Sequence, residues 1–352
     1  MKLGISLVPD GDPDTKSATA YFDEVLRLCE IADAGGLEWV KVTEYYLNPY
    51  GGYCPDPFAF LAAAAARTSR LRLMTGGVIP VFHHPVILAS RAAMLDALSH
   101  GRLDLGFGRG YLPYEHDVFD IPLDESHERY EAAVLAVTRL LNETRVTEKT
   151  PYFSYENVTT LPRPAQEPIP LWSAAVRSER SFIRVAEWGH GLLATPMFKP
   201  LDLFRSHCAI YRDAYAKAGH GAPSSIVASL PVFVASTDAE AVEAGDRLFQ
   251  HFVDVWVRAA DSWNGVESDS FAGYADMGRR LASMSGKQWR EFGSAIFGSP
   301  STVVEKIKAL HEGSGGLDGL VVQVDFGAMP GDTMERSARL FVDEVAPALA
   351  DL

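Results

Sequence analysis

The sequence predicts an α/β fold in which eight parallel strands, each followed by a helix, close into a (β/α)8 TIM barrel. Three observations lead there. Short apolar runs of strand character alternate with segments of helical period along the whole chain. Most of these runs are apolar throughout rather than alternating, as parallel strands covered on both faces require. Eight such pairs can be counted, the number that closes a barrel rather than leaving an open sheet. The barrel is expected to be one domain over residues 1–352, with a hairpin insertion at 147–166, after the fourth helix. A second insertion or lid is expected at 261–298, between the seventh and eighth strands.

The elements follow in order. Leu3 to Val8 reads as the first strand; a Pro/Gly/Asp loop follows, then a helix carrying Phe22, Val25, Leu26 and Cys29 on one face and ending at Gly35-Gly36. Leu37 to Thr43 is the second strand, and Asp56-Pro57 opens an alanine-rich helix with proline at its first position. Leu71 to Pro80 is the third strand, and His84-Pro85 opens the next helix. Leu103 to Phe107 is the fourth, followed by a long loop, Tyr111 to Ser126, and a helix with Tyr130, Val134, Val137 and Leu141 on one face. Pro170 to Val176 with the helix Ser178 to Trp188 makes the fifth pair, and Gly191 to Thr195 with Leu201 to Ala218 the sixth. Ile226 to Ala235 is the seventh strand, with Asp238 as the N-cap of its helix. Between Asp261 and Gly298 the pattern is irregular and rich in Ser, Gly and Met. Ser299-Pro300-Ser301 then opens a helix, Gly319 to Phe326 forms the eighth strand, and the last helix carries Ala338, Phe341, Val342 and Val345.

Composition narrows the function. A net charge of −14 with no basic run argues against nucleic acid and anionic membrane surfaces. The longest uninterrupted apolar run, Phe58 to Ala66, is too short to span a bilayer, and the N-terminus does not read as a signal peptide. Cys29, Cys54 and Cys208 are odd in number and far apart, which points to a reducing, cytoplasmic setting and away from a structural metal. No metal site is expected, since His83-His84 are adjacent and no metal-binding motif is present.

In a barrel of this kind the chemistry lies at the C-terminal ends of the strands. That places Glu44, Tyr45, Gly76, Gly77, Arg109, Tyr111, Arg177, Ser178 and Asp325 around one mouth. Gly106-Phe107-Gly108-Arg109-Gly110 looks like half a dinucleotide fingerprint, but no helix follows at once and no acidic residue ends the next strand. Arg109 reads instead as an anion-binding residue, with a structural ion pair as the alternative. Arg177-Ser178-Glu179-Arg180-Ser181 sits where a strand meets a helix N-terminus, which favours an anion or a serine cap. Together the two segments suggest a phosphate monoester. Glu44-Tyr45-Tyr46 is either a polar group for ligand or an aromatic wall beside a structural carboxylate.

These segments together resemble the bacterial luciferase-like flavin-dependent monooxygenases nearly end to end. The resemblance is carried by Thr43-Glu44-Tyr45-Tyr46, Gly76-Gly77 through His84-Pro85, and Leu95-Asp96-Ala97-Leu98-Ser99-His100-Gly101-Arg102-Leu103 leading into Gly108-Arg109-Gly110. Ala186-Glu187-Trp188-Gly189, Gly298-Ser299-Pro300 and Leu340-Phe341-Val342-Asp343-Glu344-Val345-Ala346-Pro347 add to it. It implies a barrel that binds reduced FMN (FMNH2) supplied by a separate NAD(P)H-dependent flavin reductase, and that uses O2 to oxygenate a small organic substrate by hydroxylation or Baeyer–Villiger insertion. It also implies a homodimer. Arg109 matches the phosphate arginine, Arg177, Ser178 and Ser181 the second phosphate segment, and Gly76 and Gly77 the peptide under the isoalloxazine. Tyr45 stands where the luciferases have a catalytic histidine; tyrosine is a donor near neutral pH rather than a base. Tyr45, Glu44 and His83 are therefore the expected catalytic set, with Tyr46, Tyr111, Tyr114 and His116 lining the substrate pocket. Two other functions fit the same barrel: hydride transfer with the deazaflavin F420, and flavin binding without turnover.

Overall fold

The computed structural model describes residues 1–11 and 13–352; of the loop after the first strand, Asp12 lies outside the described residues. Eight parallel strands form the barrel: β1 (Lys2–Leu7), β2 (Trp39–Val42), β3 (Arg72–Thr75), β4 (Leu103–Phe107), β5 (Leu171–Ala174), β6 (Gly191–Ala194), β7 (Ile226–Val234) and β8 (Gly319–Gln323). Each pairs with the next, and β8 returns to β1 with Leu3 opposite Leu320 and Ile5 opposite Val322. Between them lie helices whose apolar faces pack on the outer surface of the sheet. The start of the helix after β2 illustrates the local logic: Asp56 Oδ1 accepts from the amides of Phe58 and Ala59 at 3.0 and 3.2 Å, and Pro57 supplies a preset φ.

Several boundaries differ from the sequence expectation. β3 stops at Thr75, and Pro80–Phe82 is a 3-10 turn rather than strand. The long loop after β4 contains a short helix, Pro113–Val118. The helix after β7 is capped by Thr237, whose side chain accepts from the Glu240 amide at 3.3 Å, and not by Asp238. Asp238 instead accepts from the Ser299 amide at 2.7 Å and from Thr302 Oγ1 at 3.0 Å, which ties this helix to the one at Pro300–Gly313. Val146–Lys149 and Ser154–Val158 form an antiparallel hairpin. The stretch after Asp261 folds as short helical turns and ends in a strand, Ile296–Gly298, that pairs in parallel with Val232–Val234.

The lower half of the barrel is plugged. Trp39, Met74, Trp172, Leu193, Val227 and Val321 form an interior cluster separate from the outer core. The two indoles fit because glycines face them: a Cβ at Gly191 would come 2.2 Å from the Trp172 ring, and one at Gly319 2.7 Å from that of Trp39. Asp104, buried below the mouth, joins the plug. Its Oδ2 accepts from Trp39 Nε1 at 3.1 Å and Arg72 Nε at 2.6 Å, and its Oδ1 from Trp172 Nε1 at 3.1 Å. A buried carboxylate with three donors is stable, whereas its removal strands two indole N–H groups and leaves Arg72 only the Leu103 carbonyl and Gln166 Oε1 as acceptors. Asp104→Ala is therefore expected to lower the unfolding free energy by about 3 kcal/mol, read by chemical denaturation; a loss under about 1 kcal/mol would mean that the plug does not depend on this anchor.

Candidate active site

The mouth above the plug is built from the residues that follow each strand. After β2 the chain turns inward at Glu44, whose carboxylate is buried and fully engaged. Oε1 accepts from Tyr46 Oη at 2.5 Å and meets His83 Nε2 at 2.7 Å, while Oε2 accepts from the Ile79 amide at 2.9 Å. Glu44 thus locks the ends of β2 and β3 together and sets the orientation of the His83 ring. Where Nε2 is the donor to Glu44, Nδ1 is left as an acceptor.

Gly76 and Gly77 sit at the top of β3, joined by a cis peptide. The Gly76 amide donates to the Val42 carbonyl at 2.7 Å, and the Gly77 carbonyl accepts from the Glu44 amide at 3.4 Å. A Cβ at Gly77 would come 2.4 Å from the Phe107 carbonyl carbon, and one at Gly76 2.3 Å from Lys41 Cγ, so neither position admits a side chain without displacement.

Tyr45 belongs to an aromatic wall. Its ring centroid is 4.9 Å from that of Tyr50 and 6.4 Å from that of Tyr111. Tyr50 stacks on Trp256 at 5.2 Å, and Trp256 Nε1 donates to Tyr111 Oη at 2.8 Å. Burial, reinforced by Tyr50, holds the Tyr45 hydroxyl well above its ordinary pKa. It stays protonated at neutral pH. Tyr46 packs on the other side, 4.9 Å from Phe119 and 6.1 Å from Phe82. Tyr114 and His116 lie on the short helix Pro113–Val118; the Tyr114 hydroxyl and His116 Nε2 are buried without hydrogen-bond partners among the described residues, and burial lowers the His116 pKa.

Arg109 follows β4 and Arg177 follows the neighbouring β5. Among the described residues neither is paired with a carboxylate, so the structural ion pair considered for Arg109 is not formed. Both reach the same strap, residues 268–274. Arg109 Nη2 donates to the Ser270 carbonyl at 3.0 Å with its guanidinium 3.9 Å from the Phe271 ring centroid. Arg177 Nη1 donates to the Gly273 carbonyl at 2.9 Å, 4.9 Å from the Tyr274 ring. Gly273 has φ 77°, a left-handed turn suited to glycine. Asp124 holds the other end of the strap through Ser268 Oγ at 2.5 Å and the Ser270 amide at 3.3 Å. Beside Arg177, Ser178 caps the helix Glu179–Glu187, accepting from the Ser181 amide at 3.3 Å with the two hydroxyls 2.6 Å apart. The structure thus brings Arg109, Arg177, Ser178 and Ser181 to adjacent strand ends, and Glu44, Tyr46 and His83 into one network. Tyr45 and Tyr111 stand in the aromatic wall, and Tyr114 and His116 lie on the short helix behind it.

Besides Tyr50 and Trp256 of the wall, two charged groups in or below the mouth escaped the sequence reading. Lys41 is a buried cation inside the barrel, and its signal was a charge within the apolar run Trp39-Val40-Lys41-Val42. Glu115 had no such signal. It is fully buried, accepts from the Tyr46 amide at 2.8 Å through Oε1, and has no partner for Oε2 among the described residues. Burial, with a further push from the Glu44 charge against the lowering effect of the Tyr46 amide, raises its pKa to about 8. No group of three or more His, Cys, Asp or Glu side chains suited to a metal occurs among the described residues, and no described helix is long and apolar enough to cross a membrane.

The architecture is a closed (β/α)8 barrel with Arg109, Arg177, Ser178 and Ser181 at adjacent strand ends. The family model described as luciferase-like monooxygenase matches residues 1–316, and the chain belongs to that family. Monooxygenase RslO1 from Streptomyces bottropensis is 36% identical, superimposes with a TM-score of 0.85, and is covered over 100% of its length by 99% of this chain. The oxygenase component of the flavin-dependent trigonelline monooxygenase of Acinetobacter baylyi is 25% identical over 96% of this chain and 92% of its own. The oxygenating constituent of 3,6-diketocamphane monooxygenase from Pseudomonas putida, solved in complex with FMN, shares the fold at 21% identity and a TM-score of 0.80, over 99% of this chain and 98% of its own.

The Glu115 environment fixes the sign of a pH effect. Its native pKa of about 8 exceeds the ordinary 4.5, so the native state holds more protons than the unfolded chain between those values, and this group's contribution to stability falls as pH rises through the window. Glu115→Gln keeps the acceptor for the Tyr46 amide and removes the titration. The variant is expected to match the native chain at pH 5 and to exceed it in denaturation midpoint at pH 8; equal midpoints at both pH values would show that Glu115 titrates normally.

Proposed function

We propose that this chain is the oxygenase component of a two-component system, using reduced FMN and O2 to oxygenate a small organic substrate by hydroxylation or Baeyer–Villiger insertion. The observation that carries this reading is the cradle. Two arginines without carboxylate partners and a serine-capped helix N-terminus stand on adjacent strand ends of a luciferase-like barrel, which suits a phosphate monoester. The donors fit FMN, because the cradle offers guanidinium and hydroxyl groups to the phosphate and the side-chain-free Gly76 and Gly77 leave room for close approach of a flat ring.

Bound reduced flavin brings the oxygen-activating chemistry; the protein binds, orients and shields. Arg109, Arg177, Ser178 and Ser181 hold the phosphate. Tyr45, kept protonated by burial, is a hydrogen-bond donor to the reacting oxygen atoms and takes no proton. Glu44 is a positioning residue that aims His83, and His83 is the group that can accept a proton at Nδ1. Tyr46, Tyr111, Tyr114 and His116 form the substrate side of the pocket, and the stacked Tyr50 and Trp256 exclude water from it. The naming of the Acinetobacter baylyi relative as an oxygenase component supports a separate partner component, which in this reading is an NAD(P)H-dependent flavin reductase; a cytoplasmic location belongs to the same proposal. A homodimer is part of the same reading, supported by Ile87, Met94 and Leu98, which stand exposed at helical spacing on the helix Pro85–Leu98.

The test is to bind reduced FMN anaerobically, add O2, and follow product formation over a panel of ketones and aromatic substrates. Tight binding of the deazaflavin F420 with none of reduced FMN would overturn the assignment in favour of hydride transfer. Within it, Arg109→Ala is expected to weaken reduced-FMN binding by about 1.5–3 kcal/mol, about 10- to 150-fold in Kd. Unchanged affinity would move the phosphate elsewhere.

A further inference from the structure

Directly above the apolar plug, three neighbouring strands carry polar side chains at one level of the barrel. Ser6 of β1 is opposite Lys41 of β2 on one side and Gln323 of β8 on the other. Lys41 lies two residues beyond Trp39 and opposite Met74, both of which belong to the interior plug, so its side chain faces the barrel interior. All three residues are buried, and Lys41 is the only lysine or arginine among the described residues that is buried to this degree. Its stem runs up past Gly76, where a Cβ would come 2.3 Å from Cγ and 2.5 Å from Cδ. It therefore lies beneath the mouth, against the peptide that closes β3.

Ser6 Oγ and Gln323 Nε2 have no hydrogen-bond partner among the described residues. Lys41 Nζ makes neither a hydrogen bond nor an ion pair among the described residues. Asp325, which acts on it through space, has its oxygens engaged by the Val8 amide at 3.1 Å and Tyr21 Oη at 2.7 Å. A buried cation and buried donors left without partners are costly, and three on adjacent strands mark a place for an anionic acceptor. The strand order puts β1 opposite β5 across the barrel, so this layer faces the rim opposite the Arg177 and Ser178 cradle. A ligand with a phosphate at one end and an acceptor-rich ring at the other carries a group suited to each.

We propose that Ser6, Lys41 and Gln323 receive the N1 and C2 carbonyl edge of the reduced flavin ring in its anionic form, with Lys41 as its counter-charge. The inference rests on the FMN reading above. The reduced isoalloxazine is an anion once N1 is deprotonated and the oxidised ring is neutral, so the layer discriminates between the two redox states, whereas the phosphate cradle treats them alike.

Anaerobic titration of the full chain with oxidised and with reduced FMN tests this. Lys41→Met, close in shape and apolar, is expected to lower the preference for reduced over oxidised FMN at least about tenfold. For a two-electron couple this moves the bound-flavin potential about 30 mV more negative. Oxidised FMN should bind within about twofold of the native chain. Ser6→Ala, which removes one donor and leaves the charge, should lower the same preference by about threefold and carries the test if Lys41→Met does not fold. An unchanged redox preference in the variant that folds overturns the proposal, as does a loss confined to substrate binding, which would assign the lysine to the substrate. If the native chain binds FMN in neither state, the FMN reading falls and this proposal with it; binding without redox preference refutes the proposal alone.

Discussion

Everything above the barrel floor depends on the burial of one carboxylate. Asp104 accepts from two indoles and a guanidinium at a depth where an unpaired charge would cost several kcal/mol. By fixing Trp39 and Trp172 it seals the lower half of the barrel with side chains. Ligand chemistry is thereby confined to the upper half, where strand ends, loops and the strap converge. The polar layer at Ser6, Lys41 and Gln323 begins immediately above that seal.

The fold was legible in the sequence because parallel strands covered on both faces write themselves as short apolar runs, and each of the eight runs stands in the barrel. What the periodicity carried less well were the ends. Leu71 to Pro80 reads as one strand, but only Arg72–Thr75 pairs as strand, because the Gly76-Gly77 turn leaves the sheet before the apolar residues stop. Thr237 and Asp238 are both good caps, and the choice between them was settled by Ser299 and Thr302, sixty residues away, which the window around Asp238 does not contain.

The candidate site was legible where a residue type carries its own chemistry. Arg109, Arg177 and Ser178 at strand ends can be read from spacing, as can the carboxylate beside aromatics at Glu44. Residues whose importance comes from desolvation could not. Glu115 looks like an ordinary acid in a loop until Tyr46 and Glu44 are folded against it, and Lys41 is a charge in a strand whose side is known only once the barrel closes. The strap lies within the insertion or lid expected at 261–298, but its attachment was hidden for another reason: its bonds to the arginines run to the main chain, and main-chain carbonyls leave no mark in a sequence.

That last point bears on how such a site can change over evolutionary time. The strap is latched at Ser270 and Gly273 through carbonyl oxygens that every amino acid possesses. The grip of the arginines on those two carbonyls asks nothing of the side chains there beyond the φ requirement at Gly273, while Ser268, Phe271 and Tyr274 anchor the strap through their own side chains. Substitutions that keep those contacts can alter the face the strap turns to the barrel mouth, while the arginines keep the same grip. A single barrel can in this way diversify its specificity without rebuilding the place where its cofactor would sit.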